Sequence, residues 1–296
     1  MECSVVIPTR DRPCQLDTCL EALACQSLPR DRFEVIVVDD GSRAPVAPRL
    51  DAWRGRLNLG HAWTPGAGPA AARDAGVALA AGRCLAFTDD DCRPSPEWLQ
   101  AMLGVLRRRP GTLAGGRTVN VLTDLATSET SQVISEVVHD YYNADPEHAR
   151  FFSSNNLAAE AGAFRELGGF DPAFRTSEDR DLCHRWLASG RTLIYVPDAL
   201  VCHAHRLGLA GFWRQHFNYG RGACRHLRAV RARAAEGSTI ELGFYAGLAP
   251  RLARRLRGRR RKAAVCALLV AWQAANSAGF VAEWLAGRPA PRRRLT

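Results

Sequence analysis

A parallel, doubly wound α/β sheet is the fold that the first two hundred residues predict, and three observations predict it. Runs of β-branched residues alternate with helix-spaced apolar segments through the first hundred residues. The strand candidates are apolar without interruption, as in Val35-Ile36-Val37-Val38, the pattern of strands covered on both faces. Acidic and polar clusters follow the strands, and open α/β sheets bind ligands outside the carboxyl ends of their strands.

Ser4-Val5-Val6-Ile7 opens as a strand and leads into Pro8-Thr9-Arg10-Asp11-Arg12. Helical spacing over 16–23 precedes a second strand at 34–38. An alanine-rich helix over 70–81 leads to a third strand, Cys84-Leu85-Ala86-Phe87, and a helix over 98–106. Gly115-Gly116 precedes a strand at 117–122, residues 123–152 show no clear period, and another strand is expected over 151–159. A helix from about 161 ends at Gly168-Gly169, and one from 178 to 189 ends at Gly190, a natural C-cap. The last strand, 192–196, is expected to stop at Pro197, and an Arg-rich helical segment begins at 207. The domain boundary is therefore set at 205, with a C-terminal helical basic extension over 206–296.

At 296 residues and 47% hydrophobic content the chain can bury a large core. Its ten cysteines contain no C-x-x-C pair, and several sit in apolar runs, which predicts reduced thiols and a cytoplasmic protein. The first apolar run is strand-length and ends at Pro8, so no signal peptide is expected. The net charge of +10 is uneven: residues 203–296 hold 19 basic and 3 acidic residues, against 21 and 27 in the first 202. An acidic body thus carries a basic tail, which asks for an anionic partner.

Asp89-Asp90-Asp91 follows the third strand, and side-by-side anions are costly without a cation to compensate them. Read alone, the triad fits a solvated acidic turn or an oxygen-ligand site for Mg²⁺ or Mn²⁺. Asp39-Asp40-Gly41-Ser42 ends the second strand, where it fits either a cap or a contact to a nucleobase or ribose. Pro69 argues against reading Gly66-Ala67-Gly68-Pro69-Ala70-Ala71 as a dinucleotide fingerprint. A turn into the helix bearing Arg73 and Asp74 is preferred, with those two facing a nucleotide or forming an ordinary surface pair.

Together these segments resemble the family 2 glycosyltransferases. The resemblance rests on Ser4-Val5-Val6-Ile7-Pro8-Thr9, Val37-Val38-Asp39-Asp40-Gly41-Ser42, Ala72-Arg73-Asp74-Ala75-Gly76 and Phe87-Thr88-Asp89-Asp90-Asp91. It continues through Gly168-Gly169-Phe170-Asp171, Ser177-Glu178-Asp179-Arg180-Asp181-Leu182 and Val196-Pro197-Asp198-Ala199, covering about residues 2–205. The resemblance implies a GT-A-type doubly wound mixed sheet, mostly parallel, and an inverting glycosyltransferase. It implies Asp91 as a metal ligand for Mg²⁺ or Mn²⁺, with His203 preferred over His205 as a second. Pro8, Thr9, Arg10, Asp39, Asp40, Arg73, Asp74, Asp89, Asp90 and Asn156 are expected at the nucleotide sugar. Asp179 is expected as general base and Glu178 as a hold on the acceptor, although an ED pair alone fits a favourable helix N-terminus. Asp74 departs from the asparagine that relatives commonly carry there. Arg221 and Arg225 are expected near the diphosphate.

The partners expected are a UDP- or GDP-linked sugar and a glycan or lipid-linked acceptor, in cell-envelope polysaccharide or other glycoconjugate synthesis. A catalytically silent nucleotide-sugar-binding or scaffold protein is the alternative, as is a nucleotidyltransferase, which would release pyrophosphate. In the tail, Arg251, Arg254, Arg255, Arg257, Arg259, Arg260, Arg261 and Lys262 precede a mostly apolar stretch at 263–286. That arrangement fits an interfacial or soluble helix better than a bilayer span, because Gln273, Asn276 and Glu283 interrupt it. It predicts peripheral contact with an anionic membrane, on the inner face of the cell membrane. No nucleic-acid motif is present, and nucleic acid is not expected as a partner.

Overall fold

The computed structural model describes residues 1–204, 206–233 and 242–287. They form two compact units, one of Met1–Val119 with Asp145–Ala204, the other of Asn120–Ala144 with the described residues from 206 on.

In chain order the first unit contains β1 (Cys3–Thr9), α1 (Pro13–Ala24), β2 (Phe33–Asp39), α2 (Ala47–Leu50), β3 (Leu59–Trp63), α3 (Pro69–Leu79), β4 (Cys84–Thr88), β5 (Cys92–Pro94), α4 (Trp98–Arg108) and β6 (Leu113–Asn120). After α5 (Ala126–Tyr142), which belongs to the second unit, come β7 (Asn156–Glu160), α6 (Ala161–Glu166), α7 (Glu178–Ala188) and β8 (Leu193–His203). The strands make one eight-stranded sheet in the order β3-β2-β1-β4-β7-β6-β8-β5. The β3-β2-β1-β4 half is parallel, and β7 joins β4 antiparallel. This is the mixed, mostly parallel sheet expected.

Period-two alternation explains why the central strands are apolar throughout. Val5, Ile7, Val35 and Val37 pack on Leu16, Leu20 and Leu23 of α1 and on Trp98 and Met102 of α4. Val6, Ile36, Val38 and Phe87 pack on Ala72 and Val77 of α3, with Phe164, Phe170 and Trp186. The register pairs Thr9 with Asp39 at the ends of β1 and β2, and β4 ends at Thr88, immediately before the aspartates.

Three expectations need correction. β6 begins at Leu113, not 117, so Gly115-Gly116 lies inside it; a Cβ at Gly115 would fall into the Phe152 ring. The segment 151–155 is not strand, and β7 starts at Asn156. β8 does not stop at Pro197 but runs on to His203, with Pro197 and Asp198 at its exposed positions.

The second unit contains α5, α8 (Leu209–Arg233), α9 (Leu242–Ala246), α10 (Leu248–Arg255) and α11 (Lys262–Leu285). Val133 and Val137 of α5, Phe212 of α8 and Val265, Leu269 and Trp272 of α11 share its core. α8 and α11 cross backbone to backbone: a Cβ at Gly279 would lie 1.9 Å from the Phe217 carbonyl oxygen. Beside that crossing Glu283 is fully buried and accepts hydrogen bonds from Arg221 Nε (2.9 Å) and from Arg225 Nε (2.8 Å) and Nη2 (3.0 Å). Arg221 and Arg225, expected near a diphosphate, are thus committed to Glu283.

The Arg225 hydrogen bond, and then Arg221, hold the Glu283 carboxyl at about 2, below its ordinary 4.5, against the opposing effect of burial. A depressed carboxylate stabilises the fold fully above about pH 4.5 and loses that contribution as the pH falls towards 2. Glu283→Ala leaves two cations without their counter-charge and is expected to cost about 3–5 kcal/mol in urea unfolding, with less acid sensitivity below pH ~4.5.

Candidate active site

The ends of β1, β2 and β4 bring their polar residues together. Thr9 Oγ1 donates to Asp90 Oδ2 (2.8 Å), and the Asp40 N–H donates to the Thr9 carbonyl (2.9 Å). Asp39 caps the following turn, accepting from the Ser42 N–H (2.8 Å) and the Val46 N–H (3.4 Å). Asp40 holds the loop before α3, accepting from Thr64 Oγ1 (2.6 Å) and the Gly68 N–H (3.0 Å). Both aspartates are buried and shape the loops at this edge.

The three consecutive carboxylates have different surroundings. Asp89 accepts from Arg73 Nη2 at 2.6 Å. Asp90 is buried, and a single nitrogen of Arg12, Nη1, reaches both Asp90 Oδ1 and Asp91 Oδ2 at 3.1 Å. Asp91 also lies 3.1 Å from His203 Nε2, and its carbonyl accepts from the Ala204 N–H. Burial raises the Asp90 carboxyl to about 6, although Arg12 and Thr9 pull it down. Burial works to lower the His203 imidazole, but the Asp91 hydrogen bond and charge outweigh it and raise it.

Asp91, Cys92 and His203 offer three donor atoms within 4.8 Å of one another. Burial, reinforced by the Asp89 and Asp91 charges, lifts the Cys92 thiol well above its ordinary range. The Asp91 carboxylate and the His203 imidazole are a donor pair that suits Mn²⁺ and accepts Mg²⁺. The charge balance points the same way. Asp89, Asp90, Asp91, Glu178 and Asp179 stand against three guanidinium groups, Arg12, Arg73 and Arg180. His205, weighed above against His203, lies outside the described residues.

Glu178 and Asp179 open α7, and Ser177 before them adopts a left-handed backbone (φ 71°), unusual for a residue with a side chain. Arg73, buried on α3, joins this turn to the triad: Nη1 donates to Glu178 Oε1 (3.0 Å) while Nη2 holds Asp89. The guanidinium also lies 5.6 Å over the Phe170 ring. Glu178, expected to hold the acceptor, is therefore engaged by Arg73. Burial, and then the neighbouring Asp179 charge, raises Glu178 to about 7. Burial likewise raises Asp179, whose Oδ1 accepts from the Arg180 N–H at 2.8 Å.

The turn before α7 is fixed from two sides. Asp74 Oδ1 accepts from the Phe170 N–H (3.0 Å) and lies against Gly169 (φ 69°), where a Cβ would meet that oxygen at 2.7 Å. Arg185 bridges Asp181 (2.7 Å) to the Leu167 and Gly169 carbonyls. Asp74, expected at the nucleotide, has its carboxylate on this glycine turn.

Asn156 is likewise structural: its amide accepts from Trp98 Nε1 (2.8 Å) and donates to the Arg117 and Ala199 carbonyls (3.1 Å each), and it is buried. Its neighbour Asn155 keeps a buried Oδ1 without a partner, as do Thr88 Oγ1 and Arg73 Nε, and such atoms ask for a ligand or water. Pro8 is half-buried at the end of β1, and Arg10 is exposed beside Gly66. Arg12 was not among the expected site residues. Its signal was its place, three residues beyond β1, in a segment already marked as polar.

The model of the family described as Glycosyl transferase family 2 matches residues 4–165. The pre-mycofactocin glycosyltransferase of Mycobacterium tuberculosis is 31% identical over 234 residues, covering 74% of this chain and 46% of the relative. This chain thus spans about half the length of that relative. Glycosyltransferase AglE of Haloferax volcanii is 25% identical over 228 residues, covering 74% of this chain and 72% of its own. Among solved structures, a mannosyltransferase from Pyrobaculum calidifontis in complex with GDP-Man and Mn²⁺ superposes with TM-score 0.68 at 20% identity, covering 97% of this chain and 88% of the other. Staphylococcus aureus TarS in complex with UDP-GlcNAc superposes at 0.58 with 18% identity, covering 88% and 74%. These likenesses show the GT-A fold.

Arg73→Ala is expected to cost about 3–5 kcal/mol in denaturant unfolding, because Asp89 and Glu178 lose their shared cation. Adding Glu178→Gln is expected to recover part of that loss, with a coupling energy of about 1–3 kcal/mol in the double-mutant cycle.

Proposed function

The chain belongs to glycosyltransferase family 2, and from that premise we propose that it is an inverting, divalent-metal-dependent transferase. It moves a sugar from a UDP- or GDP-linked donor to an acceptor hydroxyl of a glycan or lipid-linked glycoconjugate. The observation that carries the reading is the Arg73 bridge. One buried cation fastens the Glu178–Asp179 turn to Asp89, so the acid pair of α7 and the triad after β4 belong to one site.

Asp91 and His203 are the residues that would hold the ion, which when bound offsets the charge of the donor diphosphate and of the departing nucleoside diphosphate. Mn²⁺ is favoured over Mg²⁺ because one ligand is a nitrogen. Asp89, fixed by Arg73, would face the donor, and Arg12 brings a positive charge to the same edge. Thr9, Asp39 and Asp40 set the loops against which a nucleoside would pack.

Asp179 takes the acceptor proton. A sugar hydroxyl is a poor nucleophile until it is deprotonated, and a carboxylate raised by burial is a better base than an ordinary aspartate. The acceptor oxygen then attacks the anomeric carbon from the face opposite the diphosphate, the glycosidic bond to phosphate breaks, and the configuration inverts. Glu178 serves this step indirectly by anchoring Arg73. The ten free cysteines support work in the reducing cytoplasm.

Asp179→Asn is expected to lower kcat about 10²–10⁴-fold with little change in the KM for donor. Asp91→Ala is expected to abolish Mn²⁺-dependent donor turnover. Full Mn²⁺-dependent turnover in both variants would overturn the assignment. The base works only when deprotonated, so the rate should fall on the acid side. Because Asp179 is raised, that limb should lie above the ordinary aspartate range, and Asp179→Asn should remove it from the residual pH–rate profile.

A further inference from the structure

The cations of the tail divide once the chain is folded. Arg254 and Arg255 pair with Asp140, Arg255 also reaches Glu136, and Arg259 pairs with Glu129 and Glu136. Arg251 lies 4.9 Å over the Tyr141 ring. Half of the basic cluster is thus engaged by α5. Arg257, Arg260, Arg261 and Lys262 are exposed and make no ion pair among the described residues.

These four cations lead directly into α11, the one described helix long and apolar enough to cross a membrane. As folded, α11 is committed along one side. Val265, Leu269, Trp272, Ala275, Gly279 and Glu283 are buried, and Glu283 is held by arginines of α8. The other side faces outward. Val270 is 72% exposed, Val281 51% and Leu285 71%, with Trp284 at 63%. Exposed Ala267, Ala274 and Ala278 join Val270, Val281 and Leu285 at steps of three and four, making a stripe about 27 Å long at 1.5 Å per residue.

We propose that this face of α11, with the four unpaired cations at its start, docks on an anionic lipid bilayer and lies in the headgroup plane without spanning it. The apolar stripe supplies burial, and the cations meet lipid phosphate. Spanning would carry Glu283 and its two arginines into hydrocarbon, which is costly. A second copy of the same face would bring no counter-charge, because the only acid of α11 is Glu283, already buried.

The test is flotation of the full chain with phosphatidylcholine vesicles with and without phosphatidylglycerol, across a salt series. Binding is expected to the anionic vesicles and to weaken steeply with salt. The triple variant R260E/R261E/K262E should reduce partitioning by more than about tenfold. V270D/V281D should reduce it with the charges intact and the helical signal and unfolding midpoint unchanged, since both positions are exposed. Equal binding to neutral vesicles, binding to neither, or variants that bind like the parent would overturn the proposal. So would a dimer in analytical ultracentrifugation that V270D/V281D dissolves, which would make the face an interface between copies.

Discussion

Everything at the catalytic edge of this protein depends on gathering carboxylates where water cannot fully screen them. Asp89, Asp90 and Asp91 follow one strand, and Glu178 and Asp179 begin a helix almost ninety residues later. Left to Coulomb repulsion these groups would separate or protonate. Arg73 holds them together through two nitrogens of one guanidinium, and Arg12 does the same for Asp90 and Asp91 through one. Burial raises Asp90, Glu178 and Asp179 because the compensation is incomplete. A divalent ion would offset that deficit, and Asp91, Cys92 and His203 bring three candidate donor atoms within 4.8 Å of one another.

The scaffold positions these charges by backbone geometry as much as by packing. Ser177 and Asp11 are the two described non-glycine residues with positive φ, and each directly precedes a site residue, Glu178 and Arg12. Such conformations cost free energy and persist where the surroundings fix them. Around Ser177 the surroundings are Asp74 on the Gly169 turn and the buried Asp181–Arg185 pair, which tie α3, that turn and α7 together. Around Asp11 they are Ser42 and Arg43, which close the loop after β1 onto the loop after β2.

Much of this was legible in the sequence. The apolar strands, the acidic residues behind them and the Glu178-Asp179 helix start are local patterns, and local patterns survive folding. What could not be read depends on partners far away in the chain. Asp74 meets Phe170, 96 positions on, and Asn156 meets Trp98, 58 positions back, so motif position alone assigned both to the ligand. The choice between Arg10 and Arg12 turns on the backbone at Asp11, which no side-chain pattern announces. α5 escaped notice because Thr127, Ser128 and Thr130 take three of its five buried positions, beside Val133 and Val137, where a helix ordinarily shows apolar residues. The basic tail looked uniform until α5 provided Glu129, Glu136 and Asp140 for part of it.

On the proposed function, the carboxylate cluster receives a cation and a nucleoside diphosphate together. The most direct measurement is anomalous diffraction at the manganese edge from crystals grown with Mn²⁺ and either UDP or GDP. A single strong peak within bonding distance of Asp91 and His203, with nucleotide phosphate density against it, is the result predicted. A peak elsewhere, or ordered nucleotide with no metal beside Asp91, would contradict it.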